Sequence, residues 1–509
     1  MKYLHALLAA FCAALLAACG GGGGGTSPAT PPPFERGVLL QTPPPQTALL
    51  AAAELKDRLK NGSTRDQALL LLSGDPVCDL DVRYIRYTTL GGAGEQTQAS
   101  GALMVPRGTD SRCSGPRPVV LYAHATDPAR TYNLANLSDT GNAAYNESLS
   151  LAALFAARGY IVVAPNYAGY DSSPLGYHPF LNAQQQSGDM MDALTAAKSA
   201  LPALTPQAAS GAKLFVAGYS QGGHVAMATQ RAMQQAGIAV TASAPMSGPY
   251  ALAQELDDNF AGQVHIGATL FGTMLATSYQ KSYGNIYTRP EDLYEGNWAV
   301  EIESLLPGED AATLGRTGKL PQFALFSSTP PQAPAGSGLQ PVLDAMTPAT
   351  GTSMDAVFAR GFGTGNLFTN GARLAYLQDM LSRPANPAHG LRIDARANDL
   401  RGWTPRAPML MCGGAQDATV SFRVNTGAMQ RLWAGLPPGL VTVLDVDAQP
   451  DGAADPFIAE KLGFGLVKGA TEELARLQGE DPVWEVARNY HAAVFPFCAS
   501  AASRYFSLF

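Results

Sequence analysis

The chain has 509 residues, of which 46% are hydrophobic and 15% are charged, and its formal net charge is −7. This composition is enough to bury a large core, either in one large domain with insertions or in two domains. The negative charge gives no electrostatic reason to expect a nucleic acid as a partner. It suits a soluble protein whose substrate is uncharged or weakly charged.

The N-terminus has the pattern of an export signal. Lys2 is followed by an apolar run from Leu7 to Ala18, which is too short to predict a membrane span. The run ends in Leu-Ala-Ala before Cys19, a pattern that resembles a bacterial lipobox. Residues 1–18 would then be removed as a signal peptide and Cys19 would be acylated. The alternative is an ordinary signal peptide cut after Ala18, which would give a secreted protein.

Residues 19–33 are rich in glycine and proline and are predicted to be the flexible tether of a lipid-anchored globular domain. No aspartate follows Cys19, and by resemblance to the sorting rules of such bacteria this favours the outer membrane of a Gram-negative bacterium. Contact with a membrane is therefore expected through the N-terminal lipid anchor only.

Four cysteines remain after the signal peptide and Cys19 are set aside: Cys78, Cys113, Cys412 and Cys498. In an exported chain they suggest two disulfides, and the sequence alone permits three pairings. From the neighbourhood of these residues in the fold predicted below, we expect Cys78–Cys113 and Cys412–Cys498. A free buried thiol at any of the four is the alternative.

Residues 34–75 are predicted to be an N-terminal arm with one helix near Ala48–Lys60. The alternating segments Val82–Thr89 and Thr97–Pro106, with a glycine-rich turn between them, predict an antiparallel pair of strands. Pro118–His124 is mostly apolar and is predicted to be a strand buried on both faces.

Strands and helices then alternate. The predicted elements in this part of the chain are helix Ser148–Arg158, strand Tyr160–Pro165, helix Gln184–Ala200, strand Lys213–Ser220, helix Gly222–Gln235 and strand Ile238–Pro245. Units of this length predict the α/β class, with a mostly parallel sheet and helices on both faces.

The alternation stops after Tyr250 and returns near Pro405. The later elements are predicted to be strand Pro408–Cys412, helix Ser421–Trp433, strand Val441–Val446, a second insertion at 447–490, and a last helix that opens at Asn489–His491 and runs to about Tyr505. Residues 34–250 and 405–509 would form the core, and 251–404 a cap above the C-terminal ends of the strands. The cap is predicted to contain helices at Ser353–Ala359 and Asn370–Leu381. A separate helical domain unrelated to the site is the alternative for this insertion.

The most informative stretch is Lys213–Gly223, KLFVAGYSQGG. It is a short apolar strand, a G-x-S-x-G turn centred on Ser220, and the start of a helix. This is the pattern of a nucleophile elbow, in which small flanking residues let strand and helix cross closely while the serine hydroxyl is lifted above the strand ends. The backbone N–H of Gln221 would point at the same space and could hold an oxyanion. The alternative is a plain strand-to-helix turn.

A serine nucleophile needs a histidine as base and a carboxylate that orients the imidazole. In α/β-hydrolases the order along the chain is Ser, Asp or Glu, then His. His491 is the one histidine after the late strands, so it is the predicted base. Asp417, in the glycine turn after strand Pro408–Cys412, is the predicted acid, and Asp445 or Asp447 is its rival.

The second oxyanion donor is expected in the loop after strand Pro118–His124, from the backbone N–H of Ala125 or Thr126, with the Thr126 hydroxyl as a possible third donor. His124 could brace that loop or be an ordinary histidine at a strand end. The remaining mature-chain histidines outside the elbow helix are expected to be surface or structural residues: His178, His265 and His389.

Four features of the sequence resemble the secretory lipases, a branch of the α/β-hydrolase fold. They are the GYSQGG elbow, the Tyr-Ala-His-Ala-Thr loop at 122–126, the segment Asn166–Tyr170 and the insertion after Ser247–Tyr250. The resemblance covers roughly 82–250 and 408–495. It implies a lipase or carboxylesterase with Ser220, Asp417 and His491 as its triad. Such enzymes more often carry His-Gly-Thr where this chain has His-Ala-Thr, and the 447–490 insertion is a further departure.

The expected activity is therefore hydrolysis of a small-molecule or lipid ester through an acyl-enzyme. The alternatives are a serine peptidase on the same fold and a catalytically inactive surface lipoprotein. No metal and no cofactor is implied, because the sequence has no zinc-like Cys and His spacing and no phosphate-binding loop.

Overall fold

A nine-stranded sheet organises the fold, and its strands are contributed by both ends of the chain. The computed structural model describes residues 34–509. The predicted signal peptide, Cys19 and the tether lie outside the described residues. No helix in the described part has the length and apolar character that a membrane crossing requires.

Residues 34–250 supply seven strands and five α-helices. In chain order they are β1 (Gln46–Leu50), α1 (Ala52–Lys60), α2 (Thr64–Ser73), β2 (Asp79–Leu90), β3 (Gln96–Arg107), β4 (Pro116–Ala123), α3 (Tyr145–Leu154), β5 (Ile161–Pro165), α4 (Ala183–Ala200), β6 (Ala209–Tyr219), α5 (Gln221–Gln235) and β7 (Ala242–Met246).

The insertion is mostly helical and contains one small two-stranded sheet. Its elements are α6 (Leu252–Phe260), α7 (Ala268–Tyr283), α8 (Gly296–Ala299), α9 (Ile302–Leu305), α10 (Ala311–Thr317), β8 (Phe326–Ser327), α11 (Gln340–Ala345), α12 (Asp355–Phe358), β9 (Phe362–Gly363), α13 (Asn370–Ser382) and α14 (Gly390–Ala397).

The C-terminal part completes the main sheet. It consists of β10 (Met409–Gly413), α15 (Thr426–Leu432), β11 (Val441–Asp445), α16 (Ile458–Gln478) and α17 (Pro482–Phe506). The strand order is β1-β2-β3-β5-β4-β6-β7-β10-β11. The pairs from β5 to β11 in this order are parallel, and the pairs among β1, β2, β3 and β5 are antiparallel.

The predicted α/β class with a mostly parallel sheet and helices on both faces is confirmed. Parallel strands are covered by helices on both faces and therefore consist of nearly continuous apolar runs. Val119–Ala123 in β4 and Ile161–Ala164 in β5 are buried throughout, as is the elbow strand from Leu214. Their buried side chains belong to one large hydrophobic core, whereas the insertion packs most of its apolar residues into a second one.

Both expected disulfides are present. Cys78 lies just before β2 and bonds to Cys113 in the turn before β4, and Cys412 in β10 bonds to Cys498 in α17. The second bond joins the strand that leads into the loop of Asp417 to the helix that carries His491. It therefore ties together two of the segments on which the predicted triad depends.

Several predictions about elements were wrong. Residues 46–50 form the edge strand β1, paired antiparallel with β2, and the helix begins only at Ala52. A second helix, α2, follows in the N-terminal arm, and its signal is the capping box of Ser63 and Asp66. The strand predicted from Ile238 begins at Ala242.

The last helix also starts earlier than predicted. It begins at Pro482, because the Asp481 side chain accepts hydrogen bonds from the first backbone N–H groups and proline is favoured at the first helical position. His491 therefore lies inside α17, not at its start. The long helix α16 accounts for about half of the 447–490 insertion and packs beside α17.

Candidate active site

Ser220 stands between β6 and α5 in a backbone conformation that is rare for a residue with a side chain. Its φ is 58° and its ψ is −121°, and its backbone N–H donates to the Met246 carbonyl at 2.9 Å. The residue is 6% exposed. The turn is therefore held by the neighbouring strand β7, with the serine side chain at the C-terminal end of the central strands.

Two glycines make this turn possible. A Cβ atom on Gly218 would lie 2.1 Å from the Gly222 carbonyl oxygen, and one on Gly222 would lie 2.0 Å from the Ala123 carbonyl oxygen. Both contacts are with backbone atoms, which cannot rotate away as the end of a side chain can. The close crossing of β6, α5 and β4 therefore requires glycine at both positions.

His491 lies within hydrogen-bond distance of both other residues of the predicted triad. His491 Nε2 lies 2.9 Å from Ser220 Oγ, and His491 Nδ1 lies 2.6 Å from Asp417 Oδ2. The His491 side chain is 14% exposed and that of Asp417 is 1% exposed. The Tyr219 hydroxyl donates to the His491 carbonyl, so the residue before the serine also holds the segment of α17 that carries the imidazole.

Asp417 is fixed from its other side by backbone donors. Its Oδ1 accepts from the N–H groups of Thr419 at 2.9 Å and Val420 at 3.1 Å. Its rivals have other partners: Asp445 accepts from the N–H of Ala415, and Asp447 pairs with Lys468 and the Tyr490 hydroxyl. Of the three candidate carboxylates, only Asp417 contacts the imidazole.

The candidate oxyanion donors differ in their availability. The N–H of Gln221 lies in the first turn of α5, where a helix has no internal acceptor. Thr126 lines the same cavity as Ser220 and Gln221, and neither its amide nor its hydroxyl forms a hydrogen bond with another part of the described chain. The N–H of Ala125 instead donates to the Glu147 carboxylate at 3.1 Å, which leaves it no free proton for a substrate.

Glu147 was not singled out in the sequence. Besides Ala125, its carboxylate accepts from the hydroxyls of Tyr122 at 2.7 Å and Tyr132 at 2.6 Å. This brace for the loop after β4 is built by residues from three separate segments. Glu147 directly precedes the predicted helix Ser148–Arg158 and lies in the first turn of α3, and a glutamate at such a position carries no local sign of this role.

Of the surface and structural roles expected for His178, its burial fits the structural one. Burial also lowers its pKa to about 3. Its neutral ring donates from Nδ1 to the Ala168 carbonyl at 2.9 Å and accepts at Nε2 from the Gln221 side chain at 2.6 Å. His178 therefore orients the side chain of the residue that follows the serine.

His124 and His265 are also buried, whereas His389 is half-buried. The His124 ring stacks between Tyr132 and Tyr167, with centroid distances of 4.4 and 4.1 Å, which matches a bracing role for the loop. His265 pairs with Glu255 at 2.7 Å inside the insertion.

A cavity opens above Ser220 between the sheet and the insertion. Its floor includes Ser220 and Gln221, and much of its wall is apolar and comes from α6 and α7, including Leu252, Phe260 and Phe271. No three His, Cys, Asp or Glu side chains within residues 34–509 are grouped as a metal site would require. The insertion thus contributes directly to the space in front of the serine.

Solved structures similar to this chain include an esterase. The rice cell wall degrading esterase LipA from Xanthomonas oryzae, in a ligand-bound form, superposes with a TM-score of 0.65 at 25% identity, covering 92% of this chain and 97% of that chain. A second structure of that esterase has a TM-score of 0.61 at 28% identity, over 87% of this chain and 98% of that one. The chain has the α/β-hydrolase fold of lipases and esterases.

A protein from Legionella pneumophila described as a hydrolase shares the fold of this α/β-hydrolase with a TM-score of 0.64 at 17% identity, over 92% of this chain and 97% of that chain. No family model matches the chain, and neither does any curated protein. The resemblance to lipases is thus confirmed at the level of the fold, and the esterase neighbours support a hydrolase that acts on ester substrates.

Proposed function

We propose that this α/β-hydrolase is a serine carboxylic ester hydrolase that works through an acyl-enzyme. The observation that carries the proposal is the pair of hydrogen bonds that His491 makes, with Nδ1 donating to Asp417 at 2.6 Å and Nε2 accepting from the Ser220 hydroxyl at 2.9 Å. A neutral imidazole with Nδ1–H on Asp417 leaves Nε2 free to take the serine proton. The esterase neighbours favour an ester over a peptide bond.

In the first step Ser220 Oγ attacks the ester carbonyl carbon while His491 Nε2 takes its proton. The negative charge on the former carbonyl oxygen is stabilised by the N–H groups of Gln221 and Thr126. The imidazolium then gives its proton to the leaving alkoxide, and an acyl-serine remains. We propose Thr126 in preference to Ala125, whose N–H is bonded to Glu147.

In the second step water replaces the alcohol. His491 takes a proton from that water as its oxygen attacks the acyl carbonyl, and the same two N–H groups stabilise the second tetrahedral intermediate. Its collapse breaks the bond to Ser220 Oγ, which recovers its proton from His491. The products are a carboxylic acid and an alcohol, and the enzyme returns to its starting state.

We further propose that residues 251–404 act as a cap over the reacting group. The side chains of α6 and α7 in the cavity wall support this role, because an apolar enclosure excludes bulk water and binds the hydrocarbon part of an ester. We retain the proposal that Cys19 is acylated and that the tether at 19–33 holds the hydrolase at an outer membrane.

The activity is tested by a panel of p-nitrophenyl acyl esters of several chain lengths and aminoacyl anilides, run with wild type and Ser220→Ala. We expect ester turnover by wild type and a loss of about 10³-fold or more in the variant, because the covalent step is removed. Wild type should also be labelled by a fluorophosphonate, and Ser220→Ala should not.

Anilide turnover without ester turnover would contradict the ester proposal in favour of a peptidase. A wild-type protein that neither labels nor turns over any substrate would instead support the inactive lipoprotein.

A further inference from the structure

A buried pair of ionisable residues lies in the wall of the otherwise largely apolar cavity above Ser220. His265 and Glu255 both line this cavity, and His265 Nδ1 is 2.7 Å from Glu255 Oε1. Their exposed fractions are 6% and 7%. Polar groups are costly to bury in such a wall unless they are paired, so their position next to the nucleophile calls for a physical explanation.

Glu255 has its hydrogen-bonding capacity met by the protein. Oε1 accepts from His265, and Oε2 accepts from the Asn425 side chain at 2.5 Å. The backbone N–H of His265 is also occupied, because it donates to the Asn259 side chain at 2.9 Å. The pair is thus held in place from α6, from the loop after it and from the core.

The other ring nitrogen of His265, Nε2, has no partner of this kind. Nε2 forms no hydrogen bond with any residue in the described part of the chain. It nevertheless keeps some accessible surface, so it is not an unpaired atom sealed inside the protein. Because His265 lines the cavity and its Nδ1 is paired with Glu255, Nε2 is the ring nitrogen left to bind a group in that cavity. The pairing with Glu255 uses only one of the two ring nitrogens, so the second nitrogen remains able to donate to a bound molecule.

The charge around this nitrogen restricts what it can bind. Burial alone would lower the pKa of His265, but the Glu255 carboxylate, with Asp258 and Asp417 nearby, raises it overall, which favours the cationic form of the ring as a donor. Glu255 already balances that charge, and Asp258 and Asp417 add negative potential. An uncharged oxygen acceptor therefore suits Nε2–H better than a carboxylate does.

We propose that His265 Nε2–H is a specificity-determining contact for an uncharged oxygen, such as a hydroxyl, carried on the apolar acyl chain of the ester substrate. This inference rests on the proposed function. The acyl group is assigned to the cavity because it stays bonded to Ser220 while the alcohol departs and water enters. Glu255 is then a positioning residue that orients the ring and keeps it protonated.

The test compares p-nitrophenyl esters of ω-hydroxyacyl chains with unsubstituted esters of the same length, from four to ten carbons. At the chain length that reaches Nε2, wild type should favour the hydroxyacyl ester in kcat/KM by about 10- to 100-fold, the range expected for a hydrogen bond to a charged donor. An ester with a terminal carboxylate should show a smaller preference.

In His265→Phe the ratio of the two kcat/KM values should fall to near one, and in Glu255→Gln it should fall part of the way. His265→Gln, which keeps a neutral donor, should retain part of the preference and guards against a folding defect in the phenylalanine variant. The matched control is His389→Phe, a cap histidine that does not line the cavity, and its ratio should equal that of wild type.

A wild-type ratio near one at every chain length would overturn the inference, as would a preference that persists in His265→Phe. Both results leave turnover of the unsubstituted esters intact, so they are distinguishable from failure of the proposed function, in which wild type would hydrolyse neither ester.

Discussion

Ser220 occupies a strained backbone conformation, with φ at 58°, and such positions cost about 1–3 kcal/mol each. The surrounding contacts hold it there: its own N–H is bonded to Met246, and its carbonyl accepts from the N–H of Gly223 at 2.9 Å. The strain aims the hydroxyl at His491 instead of into the sheet. The backbone conformation of Ser220 and its backbone hydrogen bonds are thus enough to set the direction of the candidate nucleophile.

Asp417→Asn tests the carboxylate. The amide can place an NH₂ group toward His491 Nδ1 and favour the wrong tautomer, so we expect kcat for ester hydrolysis to fall by roughly 10³- to 10⁴-fold with the fold retained. The matched control is Asp447→Asn, which removes the partner of Lys468 and should change kcat only a few-fold. Equal losses in the two variants would contradict the assignment of Asp417.

A second residue-scale prediction concerns Asp189, which is fully buried between the Tyr87 hydroxyl and the Ala168 N–H, both at 2.8 Å. Burial raises its pKa to about 7. Between its ordinary pKa of about 4 and this value, the native state keeps a proton that the unfolded chain releases. Its contribution to stability is therefore present at low pH and is lost as the pH rises toward 7.

The size of that loss is at most about 4 kcal/mol, from roughly 1.4 kcal/mol for each pKa unit. Urea unfolding at several pH values should show a flatter profile for Asp189→Asn, which keeps the shape of the side chain without titrating. Asp344→Asn, at an exposed position, should keep the wild-type profile. A wild-type profile in Asp189→Asn would show that this carboxyl does not titrate as stated.

At the scale of elements, the crossing of β6, α5 and β4 decides where the serine stands. A methyl group on Gly222 would collide with the backbone of Ala123, so the crossing leaves no room for one. The same crossing brings the start of α5, with the Gln221 N–H, beside the loop that carries Thr126. One steric condition thus sets both the nucleophile and the two proposed oxyanion donors.

Gly222→Ala should therefore destabilise the protein by roughly 3 kcal/mol or more, since overpacking against backbone cannot be relieved by a rotamer change. Activity should fall with it, because relief of the clash moves Ser220 or Thr126. Thermal unfolding and ester turnover measure the two effects. Gly315→Ala is the matched control: it lies in the exposed helix α10 with open space at its Cβ, and alanine there should be neutral or stabilising by about 1 kcal/mol. An undisturbed Gly222→Ala would contradict the steric argument.

At the scale of the whole molecule, the residues of the candidate triad and most of the cavity wall belong to different parts of the chain. The sheet and its C-terminal helix hold Ser220, Asp417 and His491, whereas the insertion has its own hydrophobic core and meets the site through one wall of the cavity. Exchange of that wall could change which esters are accepted without changing how the bond is cleaved. The proposed contact from His265 follows the same division, since it belongs to the insertion.

The proposed anchor also belongs to this scale. Cys19→Ser in the full chain should abolish incorporation of radiolabelled palmitate and should move the protein from the membrane fraction to the soluble fraction, because a single serine cannot carry the thioether-linked lipid. Ester hydrolysis should be unchanged, since the site lies wholly in residues 34–509. Membrane association that survives the substitution would contradict the anchor and favour an ordinary signal peptide.

Much of this protein could be predicted from short stretches of its sequence. The G-x-S-x-G turn, the alternation of strands and helices, and the chain order of Ser220, Asp417 and His491 all depend on local backbone geometry or on connectivity, which neighbouring residues encode. The bounds of β1 and α17 were harder to predict from the sequence. The edge strand β1 depends on its pairing with β2, and the start of α17 depends on one capping residue.

Only the tertiary structure decided which donors and ionisable groups surround the cavity above Ser220. Glu147 takes the N–H of Ala125, His178 is buried against Gln221, and His265 pairs with Glu255 in the cavity wall. Most of these contacts join segments that are far apart in the chain, and each depends on exact distances set by packing of the whole core and cap. A hydrogen bond is made or lost over a fraction of an ångström, and no local pattern of residues specifies that.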